Sequence, residues 1–196
     1  AISTHDQVLG GESGQVFLGC LFPAADGYRR EVQEAAHRVG AVLASEGVVS
    51  RFGVDFLVTR AQGEEDWKVF ALEINLRMGG TTHPFLALQF LTGGRLDPTT
   101  GLFASMRGIP KFYRATDNLK SDLYRGLGPE DLIEIVTAHG IHFSFGTESG
   151  VLFHLIGALS EFGKLGLTAI GNTRAEAEAL YERAIAILDR EAAYGR

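Results

Sequence analysis

The chain has 196 residues, of which 45% are hydrophobic, and carries a formal net charge of -6 at pH 7. A chain of this length and composition can bury its own core, which predicts a folded globular protein. The acidic balance excludes the broad basic surface that binds nucleic acid or an anionic membrane. No apolar run approaches the ~18 residues of a membrane span, and Cys20 has no partner for a disulfide. These features predict a cytoplasmic protein without nucleic-acid or membrane partners.

The first half of the sequence predicts two β-hairpins and two helices. A glycine-rich turn at residues 10–14 joins the strands of the first hairpin. Residues 28–46 place apolar side chains at helical spacing and predict a helix. Two β-rich runs, 52–59 and 68–75, predict a second antiparallel hairpin with a polar tip. A short apolar helix is expected from about His83 to Leu91.

The second half is less regular, because residues 92–127 are rich in glycine and turn formers. We predict one strand there, near residues 111–115, and few other elements. Beyond this region we expect a helix at 129–138, a hairpin of strands 150–159 and 165–170, and a helix that Asn172 or Thr173 caps and that reaches about Ala192.

The mixture of hairpins and helices has no regular βαβ repeat, which predicts an α+β fold. We expect a mainly antiparallel sheet flanked by helices. The change in character after residue 91 suggests a division into residues 1–91 and an extension of hairpins and helices, residues 92–196, that packs on the first part.

The segment 71–77 is the most informative for function. Strand alternation places Glu73, Asn75 and Arg77 on one face of the strand. Carboxylate and carboxamide oxygens suit Mg²⁺, and a neighbouring guanidinium suits phosphate oxygens. The opposite face is expected to be filled by three apolar residues, Leu72, Ile74 and Leu76.

The partner strand of the same hairpin carries one acidic residue, Asp55, which could face Glu73. Two carboxylates at that distance repel each other unless a cation lies between them. The competing interpretation is that these polar residues form the solvated face of a half-buried sheet.

A glycine-rich turn, residues 79–82, follows this strand and precedes the short helix. Such a turn could offer backbone N–H groups to an anion. His83 at the start of the helix is a possible ligand or, alternatively, a packing residue.

Three segments together resemble the second half of the ATP-grasp fold: Arg51 to Phe56, Leu72 to Arg77, and Gly79 to Pro84. The string Glu73 to Pro84 is most similar to carboxylate-amine ligases and to peptide ligases of the pheganomycin type. The resemblance implies an ATP-grasp C-terminal subdomain with a small C-terminal α/β extension.

The resemblance also implies the chemistry, which is ligation of a carboxylate to an amine or peptide substrate through an acyl phosphate made from Mg-ATP. Its implied magnesium ligands are Asp55, Glu73 and Asn75. Arg77 would stabilise the transferring phosphoryl group, and Arg51 would contact the substrate. The nucleotide would also be bound by Gly79, Gly80, Thr81, Thr82 and His83.

An ATP-grasp enzyme also has an upstream subdomain with phosphate-binding lysines, and this sequence opens within a predicted strand. We therefore expect an N-terminal half of the same polypeptide as a partner, and a chain that is inactive without it. Two other hypotheses stay open: a non-catalytic ATP-grasp-like module that binds a small ligand or partner, and a metal-dependent hydrolase that uses Asp55, Glu73 and His83.

Overall fold

A computed structural model describes residues 3–194 of the protein, without the side chain of Tyr194. The strands within these residues are β1 (Asp6–Gly10), β2 (Val16–Phe22), β3 (Gly53–Thr59), β4 (Lys68–Asn75), β5 (Arg95–Leu96), β6 (Phe103–Ala104), β7 (Phe112–Lys120), β8 (Gly150–His154) and β9 (Lys164–Gly171). The α-helices are α1 (Arg29–Ser45), α2 (Thr82–Thr92), α3 (Pro129–Ala138), α4 (Leu159–Phe162) and α5 (Arg174–Tyr194).

Five antiparallel strands form the central sheet, in the order β1-β2-β7-β9-β8. The long helix α5 lies against β7, β8 and β9. Strand β9 is buried along most of its length because α5 and its two neighbouring strands enclose it. The predicted α+β class is therefore confirmed.

Within residues 3–194, two groups of buried side chains form the core. The larger group joins β8, β9, α3 and α5, and includes Leu165, Leu167 and Leu188. The second is built on aromatic rings of β2, α2 and β7, in which Phe22 stacks on Tyr113 with a centroid distance of 4.9 Å. Because β2 and β7 are neighbours, one sheet draws strands from both sides of residue 91. The division into two parts at that residue stays a prediction.

Most predicted elements are present close to their predicted bounds. The two early hairpins, the helix α1 and the helix α3 are confirmed. Thr173 caps α5, since its side-chain oxygen accepts a hydrogen bond from the N–H of Glu176 at 3.0 Å.

The third predicted hairpin is present, but its connection is helical. Strand β8 ends at His154, because Leu155 adopts a left-handed backbone conformation with φ of 55°. A 3-10 turn and the short helix α4 then occupy residues 156–162. The strand predicted at 111–115 extends to Lys120, and the preceding region also holds the small pair β5-β6.

The hairpin β3-β4 forms a separate two-stranded sheet beside α1. The three apolar residues predicted to fill one face of the strand are largely exposed, with exposed fractions of 65% for Leu72, 46% for Ile74 and 59% for Leu76. Strand alternation indicates two faces, but it cannot tell whether a neighbouring element covers the apolar one.

Candidate active site

A cavity of about 1170 Å³ lies between β1, α1, the hairpin β3-β4 and the loop before α2. Nine of the predicted site residues line it: Arg51, Asp55, Glu73, Asn75, Arg77, Gly79, Gly80, Thr81 and Thr82. They come from the hairpin strands, the residues just before β3, and the turn that leads from β4 into α2. The fold thus brings most of the predicted site to one concave surface.

Asp55 and Glu73 are direct partners in the register of β3 and β4. Asp55 accepts hydrogen bonds from the side-chain amides of Gln7 at 3.0 Å and of Asn75 at 3.4 Å. Burial and the charge of Glu73 raise the pKa of Asp55, while the Gln7 hydrogen bond and the charge of Arg77 oppose this rise. The pair is therefore a place where a cation would relieve repulsion between carboxylates.

The donor set can be compared with the needs of Mg²⁺. This ion prefers oxygen ligands, and protein sites that bind it with phosphates commonly use one or two carboxylates. Asp55, Glu73 and the carboxamide oxygen of Asn75 meet that requirement and would hold the ion together with phosphate oxygens and water. Within residues 3–194, no three His, Cys, Asp or Glu side chains are grouped to hold a metal by themselves. The residues fit Mg²⁺ bound together with a phosphate ligand.

Two N–H groups of the glycine-rich turn are already used within the turn. The N–H of Gly79 donates to the hydroxyl of Thr82 at 3.1 Å, and the N–H of Thr82 donates to the carbonyl of Gly79 at 3.0 Å. These bonds fix the turn at the start of α2. An anion there would depend on the N–H groups of Gly80 and Thr81.

His83, the remaining predicted nucleotide contact, is exposed and does not line the cavity. Its ring lies against His154, with a centroid distance of 4.5 Å. Burial, followed by the charge of His83, lowers the pKa of His154 to about 4. A hydrolase centre that combines His83 with Asp55 and Glu73 is not assembled in this structure.

The far wall of the cavity contains residues whose role the motifs do not reveal. His5 lies beside Tyr113, with 2.6 Å between the imidazole Nε2 and the phenol oxygen. Asp6 accepts hydrogen bonds from the N–H of Ala25 at 3.0 Å and from the hydroxyl of Tyr28 at 2.9 Å. Asp117 on β7 also lines the cavity, although it lies within the region that sequence patterns left mostly unassigned.

Cys20 does not provide a nucleophile. Its thiol is buried in the core, and burial together with the charge of Asp117 raises its pKa to about 12. The thiolate that nucleophilic catalysis requires is therefore scarce near neutral pH.

Among residues 3–194, none of the helices combines the length and apolar character needed to cross a bilayer.

Comparisons with known proteins agree with this architecture. The chain is 34% identical over 187 residues to L-propargylglycine--L-glutamate ligase of Streptantibioticus cattleyicolor, an alignment that covers 95% of the chain and 37% of that protein. The family model of the PGM1 C-terminal domain matches residues 131–184.

A solved structure shares this fold. The ATPase subunit of phosphoribosylaminoimidazole carboxylase from Aquifex aeolicus superposes with a TM-score of 0.53 and 15% identity, over 94% of this chain and 50% of that one. Carboxyaminoimidazole ribonucleotide synthase from Aspergillus clavatus, complexed with ATP, gives a TM-score of 0.49 and 18% identity, over 96% of this chain and 49% of that one.

The chain thus spans little more than a third of its curated relative and about half of each matched structure. The resemblance inferred from the motifs of the hairpin and the glycine-rich turn is confirmed as a similarity: 95% of the chain aligns with part of a curated ligase, and the chain shares the fold of part of the Aquifex structure.

Proposed function

We propose that the chain is the C-terminal catalytic portion of an ATP-dependent ligase that joins a carboxylate to an amine through an acyl phosphate. The observation that carries this proposal is the convergence of Asp55, Glu73, Asn75 and Arg77 on one cavity. A ligase of this type needs positioning and charge neutralisation and does not need a side-chain nucleophile. The name of the curated relative, which joins two amino acids, supports amino acids as the substrate class.

The site residues have separate roles in this proposal. Asp55, Glu73 and Asn75 hold Mg²⁺, which supplies neutralisation of phosphate charge when it is bound. Gln7 fixes the orientation of the Asp55 carboxylate through their hydrogen bond. Arg77 lies just after the end of β4 and contacts the transferring phosphoryl group, while Arg51 just before β3 contacts the substrate carboxylate.

The proposal includes a second part of the same polypeptide that supplies the rest of the nucleotide site. The chain covers 50% of the matched Aquifex structure. The cavity is therefore formed by residues that correspond to one half of that structure. Mg-ATP is therefore expected to bind this chain weakly, and turnover is expected only with the remaining part.

Isothermal titration of the chain with Mg-ATP tests the nucleotide site. Glu73→Ala removes one of the two facing carboxylates, so it is expected to abolish Mg-dependent binding. Glu65→Ala is the matched control, because Glu65 lies on the exposed tip of the same hairpin and does not line the cavity. The same two variants are then compared in a longer polypeptide, the shortest one that contains this chain and has ligase activity.

Activity is measured with L-propargylglycine and L-glutamate, the amino acids in the name of the relative, as first probes. Hydroxylamine added in place of the amine traps an acyl phosphate as a hydroxamate. Formation of hydroxamate that requires ATP and Glu73 supports the ligase. A polypeptide that binds amino acids without ATP-dependent chemistry would instead favour the non-catalytic binding module.

A further inference from the structure

Four carboxylates line the cavity: Asp6, Asp55, Glu73 and Asp117. Asp6 is occupied by hydrogen bonds from Tyr28 and the backbone. Asp55 and Glu73 form the facing pair of the hairpin. Asp117 lies on the central sheet, and within residues 3–194 it accepts no hydrogen bond and forms no ion pair. This half-buried carboxylate lies close enough to Cys20 and His154 for its charge to act on both, but neither side chain hydrogen-bonds to it.

A β-bulge gives Asp117 its position. The pairing of β7 with β9 shifts register between Thr116 and Leu119, so that Asp117 and Asn118 leave the regular ladder. The hydroxyl of Thr116 accepts a hydrogen bond from the N–H of Asn118 at 3.0 Å and donates to the carbonyl of Leu18 on β2. Bulges commonly re-aim a side chain beside a functional site, and this one is held by two neighbouring strands.

The glycine-rich turn passes directly beside this carboxylate. A Cβ atom at Gly80 would lie 3.4 Å from Oδ2 of Asp117 and 3.0 Å from Cε1 of Phe17. A fixed negative charge at this distance disfavours a phosphate at the Gly80 end of the turn and favours a cationic group. Asp117 therefore gives the cavity a carboxylate that comes from the central sheet and not from the β3-β4 hairpin.

We propose that Asp117 binds the ammonium group of the amine substrate. The inference rests on the proposed ligase function and assigns its amine subsite to the wall formed by β7. An amino-acid ammonium group supplies N–H donors and a positive charge, which match a carboxylate that accepts no hydrogen bond from the described residues.

The test compares Asp117→Asn with the parent protein in the smallest active polypeptide that contains this chain. Asparagine keeps the shape and the hydrogen-bonding oxygen but removes the charge. With L-propargylglycine and L-glutamate as substrates, kcat/KM for the amino acid that supplies the amine is expected to fall about tenfold. Hydroxamate formation with hydroxylamine, which is uncharged near neutral pH, is expected to continue at the parent rate. The KM for ATP is expected to stay the same.

Asp66→Asn is the matched control, because Asp66 is exposed at the tip of the β3-β4 hairpin and lies outside the cavity. An equal loss with hydroxylamine and with the amino acid would place Asp117 in phosphoryl transfer and overturn the proposal. An unchanged kcat/KM for the amino acid would overturn the proposal as well. A lowered Tm with equal loss of activity in all reactions would also overturn it, because that result indicates a structural role. Absence of hydroxamate in the parent protein would reject the ligase function, and the amine subsite with it.

Discussion

The β3-β4 hairpin and strand β9 show opposite ways of using β structure. Strand β9 lies between β7 and β8 under the helix α5, and Leu165, Leu167 and Ile170 are fully buried. The hairpin lines the cavity with Asp55, Glu73 and Leu72, and it leaves Ile74 and Leu76 exposed outside the cavity. The residues proposed to bind Mg-ATP therefore lie on the weakly supported sheet, while the wall that carries Asp117 belongs to the well-packed one. Low local stability is common among elements that bind ligands.

The largest effect is expected from a matched pair of leucine truncations. Leu167→Ala removes a side chain with 0% exposure and should lower the free energy of unfolding by about 2–5 kcal/mol. Leu72→Ala, at 65% exposure, should change it by about 0.5 kcal/mol or less. Urea unfolding followed by circular dichroism measures both. Equal effects would show that the hairpin contributes to the core as much as β9 does.

A smaller change in the free energy of unfolding is expected when the pH is lowered, because of His5 in the cavity lining. Burial lowers the pKa of His5 from 6.5 to about 3 in the folded protein. Below pH 6.5 the unfolded chain takes up a proton that the folded protein excludes, so stability is complete above that pH and falls as the pH decreases toward 3. From about pH 7.5 to about pH 5 the expected loss is on the order of 1–2 kcal/mol.

The His5 prediction is checked by urea unfolding of the parent protein and His5→Leu at several pH values. The leucine variant loses the contact with Tyr113 but should show a flatter pH dependence. His37→Leu provides a second histidine-to-leucine change on α1 for comparison. An unchanged slope in His5→Leu would mean that another group sets the acid sensitivity.

The smallest effect concerns ligand-dependent protection of the hairpin. Hydrogen exchange should be faster for the amides of β3 and β4 than for those of β9, because the hairpin has less cover. Mg-ATP at about twice its Kd should slow global and hairpin opening by about threefold if it binds only the closed form. Glu73→Ala should remove this slowing, and Glu65→Ala should keep it.

The sequence predicts best what depends on local chemistry. The glycine turn of the first hairpin, the alternation that places Glu73 and Asn75 on one face, and the pairing of Asp55 with Glu73 all follow from short-range rules. The exposed state of Ile74 could not be predicted, because it depends on whether a distant part of the chain covers the sheet.

Asp117 was missed for a related reason. Its place in the cavity depends on a bulge between β7 and β9, and the pairing of these strands joins residues about 50 positions apart in the chain. His83 was predicted to bind the nucleotide because it belongs to a recognisable motif. Its ring instead lies against His154, and His83 does not line the cavity. Motifs fix the neighbours of a residue along the chain and leave its neighbours in space open.

The bulge at Asp117 and Asn118 also has an evolutionary consequence. Asp117 and Asn118 have no paired residue on β9, so a change of either side chain has no cross-strand neighbour in that ladder to disturb. If amine recognition lies there and phosphoryl transfer lies on β3 and β4, new acceptors can be selected without altering the chemistry of ATP. Substitutions at positions 117 and 118 are therefore the place to begin a search for ligases with altered products.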